Sequence, residues 1–133
     1  MKVAKRNAKK HQVNIKFLQS DLLQHISNVK KFDVIVANLP YISQDSSEIQ
    51  ASVKKHEPSL ALFGGADGLD LIRKLLLQIS ELPKKPRLVL LEFGGGEQVD
   101  ILRNFVERIF PKARFNFLRD LAGVMRVLCL REL

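Results

Sequence analysis

"VIVANLPYIS", residues 34–43, decides how the rest of the chain is read. Val34, Ile35, Val36 and Ala37 form an uninterrupted apolar run, which reads as a fully buried strand of a parallel sheet, apolar on both faces. Such a strand usually gives way to Gly, Asp or Ser. This one gives way to Asn38, Leu39, Pro40 and Tyr41, at the carboxyl end where open α/β sheets hold ligands. Pro40 fixes its own φ and disfavours helical geometry at Leu39, so the turn is held extended. The Asn38 side chain offers one carbonyl acceptor and two N–H donors. With the backbone carbonyl of Leu39 or Pro40 it can accept both hydrogens of a planar NH2 group, while Tyr41 offers a face for a flat group. The device suits methyl transfer to an amide or exocyclic amine, whose nitrogen lone pair must be turned toward an incoming methyl carbon. Orientation of this kind is worth up to about 7 kcal/mol of barrier. The same four residues also suit a plain strand-ending turn whose Asn caps backbone groups.

Working outward from this stretch, "NIKFLQSDLL" (14–23) holds a short strand, Ile15 to Leu18, ending at Ser20-Asp21. Residues 2–11 read as an exposed helix with Val3, Ala4 and Ala8 on one face, and 22–30 as a short helix or loop. On the other side, residues 43–66 form a long polar connection, of a length usually functional or mobile. From Leu69 the spacing turns helical, with Ile72, Leu75, Leu76 and Ile79 on the same face, and Pro83 and Pro86 end it. "RLVLLEF" (87–93) is the next buried strand, and "GGG" (94–96) releases the chain. A second amphipathic helix buries Val99, Leu102, Phe105, Val106, Ile109 and Phe110. "ARFNFL" and "VMRVLCLREL" close the chain as two strands joined by "RDLAG". Strands alternating with helices predict an α/β layered domain, and the last pair an antiparallel edge.

Composition bounds the function. With 133 residues, 46% of them apolar, the chain can bury a single core. No stretch is long and apolar enough to span a bilayer, and "MKVAKRNAKKH" lacks the apolar segment of a secretory signal, so a cytoplasmic protein without membrane partners is expected. Cys129, within "VLCL", reads as a small buried hydrophobe in a reducing compartment. His11, His25 and His56 are scattered without metal-ligand spacing, so no metal site is expected. Lys plus Arg number 22 against 14 Asp plus Glu, and residues 1–20 carry six of the cations and no acid. That imbalance suits an anionic partner such as RNA or a ribosome-associated protein, or simply a solvated helix face.

The chain resembles the HemK/PrmC-type protein-glutamine N5-methyltransferases over nearly all its length. The residues that carry the resemblance are "RNAKKHQV", "FLQSDLL", "FDVIVANLPYIS", "HEPSLALFGGADGLDLIRKLL", "LVLLEFGGGEQ" and "RDLAGVMRVL". "EPSLALFGGADGLD" (57–70) separates this family from other amino-methyltransferases. The resemblance implies a Rossmann-like, class I S-adenosylmethionine-dependent methyltransferase fold, α/β with a mixed sheet and an antiparallel C-terminal strand pair. It implies methylation of the Gln of the release-factor GGQ motif, with a peptide chain release factor as partner and S-adenosyl-L-methionine as cofactor. By matching position, Asn38, Leu39, Pro40 and Tyr41 would hold the substrate amide, and Asn38 would also lie near the cofactor. Asp21 matches the acidic residue that contacts the adenine amine, and Leu22 the apolar residue beside the ring. From the residues alone, Asp21 is equally a helix N-cap. Glu57-Pro58 and Gly64-Gly65 match family positions that also shape turns whatever the function. Glu92, at a strand end beside the triple Gly, suggests a site but receives no role. "GGGEQ" lacks the G-x-G-x-x-G spacing of a dinucleotide fingerprint.

Two departures matter. The family usually shows Asn-Pro-Pro-Tyr; Leu39 stands in the first proline position, as in rRNA adenine dimethyltransferases, and raises an rRNA amino-methyltransferase as an alternative. The chain also lacks the Gly-rich cofactor loop, the acid that holds the ribose, and the family's first two strands and N-terminal helical domain. Residues 1–133 are therefore expected to form a partial methyltransferase domain, the C-terminal part of the catalytic domain, truncated at the N-terminus and weak or inactive alone. A non-catalytic remnant or interaction module is a further alternative. Family sheets run 3-2-1-4-5-7-6, so the missing strands would lie between those ending at Asp21 and Asn38. Either these two pair directly, or another chain fills the gap, or a partial gene product leaves it; a dimer or strand-swapped assembly is one way to fill it.

Overall fold

The computed structural model describes residues 1–24, 26, 32–44 and 58–133, without the side chains of 59 and 60. His25, His56 and Glu57 lie outside the described residues, as does most of the 43–66 connection. The elements are α1 (Lys2–Lys10), β1 (Val34–Ala37), α2 (Ser59–Leu62), α3 (Asp70–Glu81), β2 (Leu88–Glu92), α4 (Gln98–Ile109), β3 (Arg114–Arg119) and β4 (Met125–Arg131).

The four strands form one sheet in the order β1-β2-β4-β3. β1 runs parallel to β2, with Val34 opposite Leu88 and Ala37 opposite Leu91. β4 is antiparallel to both its neighbours, pairing Leu90 with Cys129 on one side and Phe117 with Leu128 on the other. The mixed α/β sheet with an antiparallel C-terminal pair is thus as expected. Ile35, Val89, Leu91, Leu128 and Leu130 alternate along their strands, so they share one face of the sheet. They join the buried stripe of α3 (Ile72, Leu75, Leu76, Ile79) and that of α4 (Leu102, Phe105, Val106) in one cluster. Both helices therefore cover the same face. Phe93 sits fully buried beside them, edge-on to Phe117 at 5.6 Å. Cys129 is buried and free, as its apolar setting suggested.

Two expectations fail on the N-terminal side. β1 is not buried on both faces: Ile35 is 9% exposed, but Val34 is 49% and Val36 72%. The reason is its place at the sheet edge, where the described core helices cover the opposite face; an apolar run reads alike whether one face or both are covered. The strand expected at Ile15–Leu18 does not form, and Ile15 and Leu18 are each about half exposed. The segment just after it is moored on α3 instead, where Leu23 N–H donates to Gln78 Oε1 at 2.9 Å and Lys74 meets Asp21. Away from a ladder partner, an extended segment gains no strand hydrogen bonds. The direct pairing of this segment with β1 is therefore not found. α1 does form, and all but Ala8 of it is exposed.

Candidate functional site

β1 and β2 run side by side in register, so Asn38 leaves the sheet beside Glu92, the last residue of β2. Asn38 is exposed, whereas Leu39 and Tyr41 pack partly against the core. Beyond the turn the chain is stitched to the loop after α2. Ile42 N–H donates to the Leu62 carbonyl at 3.0 Å, and Gly64 N–H to the Ile42 carbonyl at 2.9 Å. A cavity of about 270 Å³ opens here, lined by residues 38–42 with Ala61 and Leu62.

Tyr41 is fixed at three points. Its hydroxyl donates to Glu92 Oε1 at 3.0 Å. Its carbonyl accepts from Gln98 Nε2 at 2.9 Å, and the same amide nitrogen donates to the Asp67 carbonyl at 2.8 Å. Gln98 Oε1 in turn accepts from Gly94 N–H at 2.7 Å, which ties the start of α4 to the glycine loop. An added Cβ on Gly94 would fall 2.9 Å from Gln98 Oε1 and in ordinary contact, 3.4 Å, with Tyr41 Cδ2. Elsewhere in the cradle, close backbone approach requires glycine. A Cβ on Gly68 would fall 2.1 Å from the Tyr41 carbonyl oxygen, and one on Gly64 2.4 Å from that of Pro40. Gly64 therefore serves close approach as well as the turn.

Charges close the frame. The Arg126 guanidinium donates to the Gly94 carbonyl and lies 3.4 Å from Asp120 Oδ2. Arg73 forms a two-pronged ion pair with Asp67, whose Oδ1 also accepts from Leu69 N–H at 3.0 Å. The Arg73 hydrogen bonds, chiefly, hold the Asp67 carboxyl below its ordinary range. Burial, then the hydrogen bond to Glu92 and its charge, raise the Tyr41 phenol, with Arg126 opposing.

Of the residues singled out in the sequence, the structure brings Asn38, Leu39, Pro40 and Tyr41 together around one cavity. Asp21 and Leu22 are not among its lining residues. Asp21 reaches Lys74 Nζ at 2.5 Å on α3, and its carbonyl closes a turn with Gln24 N–H at 3.1 Å, so no helix starts there for it to cap. Leu22 packs partly against the core. Sequence reading missed Gln98, the Asp67–Arg73 pair and Arg126. Gln98 stands 57 positions from Tyr41, and no local pattern marks such a contact. The nearest signal was the crowding of glycines at 64, 65, 68 and 94–96, which marks close backbone approach.

Among the described residues, no group of three His, Cys, Asp or Glu could hold a metal ion, and no helix is long and apolar enough to cross a membrane. No family model matches the chain. Several curated proteins do. The release factor glutamine methyltransferase of Bacillus cereus is 36% identical over 129 residues, 96% of this chain and 45% of that protein. Its Bacillus subtilis counterpart is 34% identical over 131 residues, 97% of this chain and 45% of that protein. A ribosomal protein uL3 glutamine methyltransferase from Neisseria meningitidis is 32% identical over 109 residues, 82% and 33% of the two chains. The chain is thus similar to glutamine methyltransferases along nearly all its length, and it spans about half the length of the curated relatives it matches.

Proposed function

We propose that this chain carries the substrate-gripping side of a Rossmann-like, class I S-adenosylmethionine-dependent methyltransferase. The acceptor is the side-chain amide of the glutamine in the GGQ motif of a peptide chain release factor. One observation carries the reading: an extended Asn-Leu-Pro-Tyr turn, fixed at the mouth of a small cavity, in a chain whose relatives are named for glutamine methylation. The strand order supports it too, since β1-β2-β4-β3 matches 4-5-7-6 of the order 3-2-1-4-5-7-6.

The chemistry follows from the turn. A primary amide nitrogen is a weak nucleophile because its lone pair is delocalised into the carbonyl. Two carbonyls that accept both N–H hydrogens fix the plane of the NH2 group and draw electron density onto nitrogen. The Tyr41 carbonyl is taken by Gln98, and that of Pro40 lies against Gly64. The Asn38 side chain and the Leu39 carbonyl are then the accepting pair, with the Tyr41 ring as the wall the amide lies on.

Bound S-adenosylmethionine would supply an electrophilic methyl group. The residues present fit the amide better than that cofactor. The cavity's 270 Å³ is just below the range of about 300–1,000 Å³ usual for drug-sized ligands. Asp21, matched to the adenine contact, is engaged by Lys74. This chain therefore holds the acceptor and does not by itself enclose the donor, so alone it is weak or inactive.

A chimera tests the assignment: this chain replaces the matching 131 residues of the Bacillus subtilis relative. The expected result is methylation of a release-factor domain at its GGQ glutamine, lost on Asn38→Ala. A folded chimera that binds S-adenosylmethionine yet leaves that glutamine unmodified would contradict it. The exposed cations of α1 and Leu39 favour a second reading, an rRNA amine as acceptor; its mark is methylated RNA and salt-sensitive RNA binding by the same chimera.

A further inference from the structure

We propose that Glu92 and Gln98 are positioning residues, which hold Tyr41 from its two ends so that its ring forms a fixed wall for the acceptor amide. The role rests on the amide-gripping reading above. The hydroxyl end is held at 3.0 Å by a carboxylate at the carboxyl end of β2, and the carbonyl end at 2.9 Å by an amide in the first turn of α4. Between these anchors the ring lies against Gly94, where an added Cβ would crowd Gln98 Oε1 at 2.9 Å. The two anchors sit on rigid elements of the packed core, 51 and 57 positions away in sequence, so they import the rigidity of β2 and α4 into an edge turn. Gln98 does so as a three-way clamp. Its nitrogen donates to the carbonyls of Tyr41 and Asp67 while its oxygen accepts from Gly94 N–H. A carboxylate at this position would set oxygen against oxygen on two sides. Glu92 differs: its acceptor role is one a neutral amide oxygen could keep.

The molecule contains its own probe. Tyr41 is the one tyrosine among 133 residues and there is no tryptophan, so phenolate absorbance and emission excited beyond the phenylalanine band report this side chain alone. Two measurements on the full chain test the proposal: alkaline titration of the Tyr41 phenol, and titration with a capped Gly-Gly-Gln peptide read by Tyr41 emission. Glu92→Gln should bring the phenol's pKa part of the way down, since burial still raises it but the carboxylate's charge is gone while Arg126 remains. It should leave peptide affinity nearly unchanged, because the amide oxygen still accepts. Glu92→Ala should weaken the peptide about tenfold, as loss of one charge-assisted hydrogen bond implies. Gln98→Glu, nearly isosteric, should weaken it at least as much while the chain stays folded by circular dichroism. If Glu92→Ala leaves the phenol's titration where it was, the hydroxyl anchor is not made and the proposal falls. If the wild-type chain binds the peptide and Glu92→Ala and Gln98→Glu bind it equally well, the positioning role falls while the amide grip stands. If the wild-type chain does not bind the peptide at all, the amide grip itself falls, and this role with it.

Discussion

The two flanks of the sheet differ. From Leu69 onward almost every apolar residue that the helical and strand periodicities place inward is buried, in one cluster shared by α3, α4, β2 and β4. Before residue 37 the balance reverses: Met1, Val3, Val13, Ile15, Leu18, Phe32, Val34 and Val36 are exposed. The Asn38–Tyr41 turn stands at the border, and its inner side is braced by Glu92 and Gln98. On the proposed reading, the contrast places the acceptor half of the site on the closed flank. Asp21 and Leu22, which the resemblance assigns to the donor, come before it in sequence and are moored on its outer side through α3.

The largest effect should come from comparing one residue of each flank. Phe93→Ala, at a fully buried ring, should cost about 3–5 kcal/mol in urea unfolding. Val36→Ala, at a 72% exposed side chain, should stay within about 0.5 kcal/mol. Equal costs would mean that something covers β1 in solution. A second contrast lies within the glycines. Gly68→Ala combines φ +80° with a clash against the Tyr41 carbonyl and should cost about 3 kcal/mol, disturbing Tyr41 emission as well. Gly123→Ala has a similar φ, +81°, but nothing within 4 Å, so about 1 kcal/mol is expected and no change at Tyr41.

How much of this was legible in the sequence follows the same border. α3 and α4 were legible because Ile72, Leu75 and Ile79, or Leu102 and Phe105, repeat at helical spacing and find a partner surface. β2 and β4 were legible for the same reason, as short apolar runs that enter a covered sheet. β1 was located correctly and its burial overstated, since Val34 and Val36 carry no mark of which face is covered. The Ile15–Leu18 strand failed because a strand depends on a ladder partner, which local pattern does not reveal. In the site, the turn was legible because Pro40 restricts it locally. Gln98 was not, because two of its three hydrogen bonds, to the Tyr41 and Asp67 carbonyls, reach far along the chain.

Acid should separate the flanks more gently. The Asp67 carboxyl is held low by Arg73, so its stabilisation is complete above the unfolded value of about 3.9 and is lost as pH falls through the folded one. With its side chain 35% exposed, solvent screening limits the effect to about 1 kcal/mol. Asp67→Asn should remove that component from the acid limb of stability against pH, and an unchanged acid limb would mean the pair contributes nothing. The smallest effect belongs to the segment moored on the outer side of α3. Asp21→Ala breaks an ion pair whose side chains are 53% and 42% exposed, and should change stability by less than about 0.5 kcal/mol. A larger loss in thermal unfolding would show that residues 21–23 are moored more firmly than this pair accounts for.

The most direct test of a built acceptor side and an unbuilt donor side is a residue-resolved NMR titration of the full chain. It uses the capped Gly-Gly-Gln peptide, the Gly-Gly-Glu peptide and S-adenosylmethionine in turn. The expected result is movement of the Asn38, Leu39, Tyr41 and Ile42 amide signals with the glutamine peptide, much less with the glutamate one, and none with millimolar S-adenosylmethionine. Movement of Asp21 and Leu22 with S-adenosylmethionine, and none of the turn with the glutamine peptide, would contradict it.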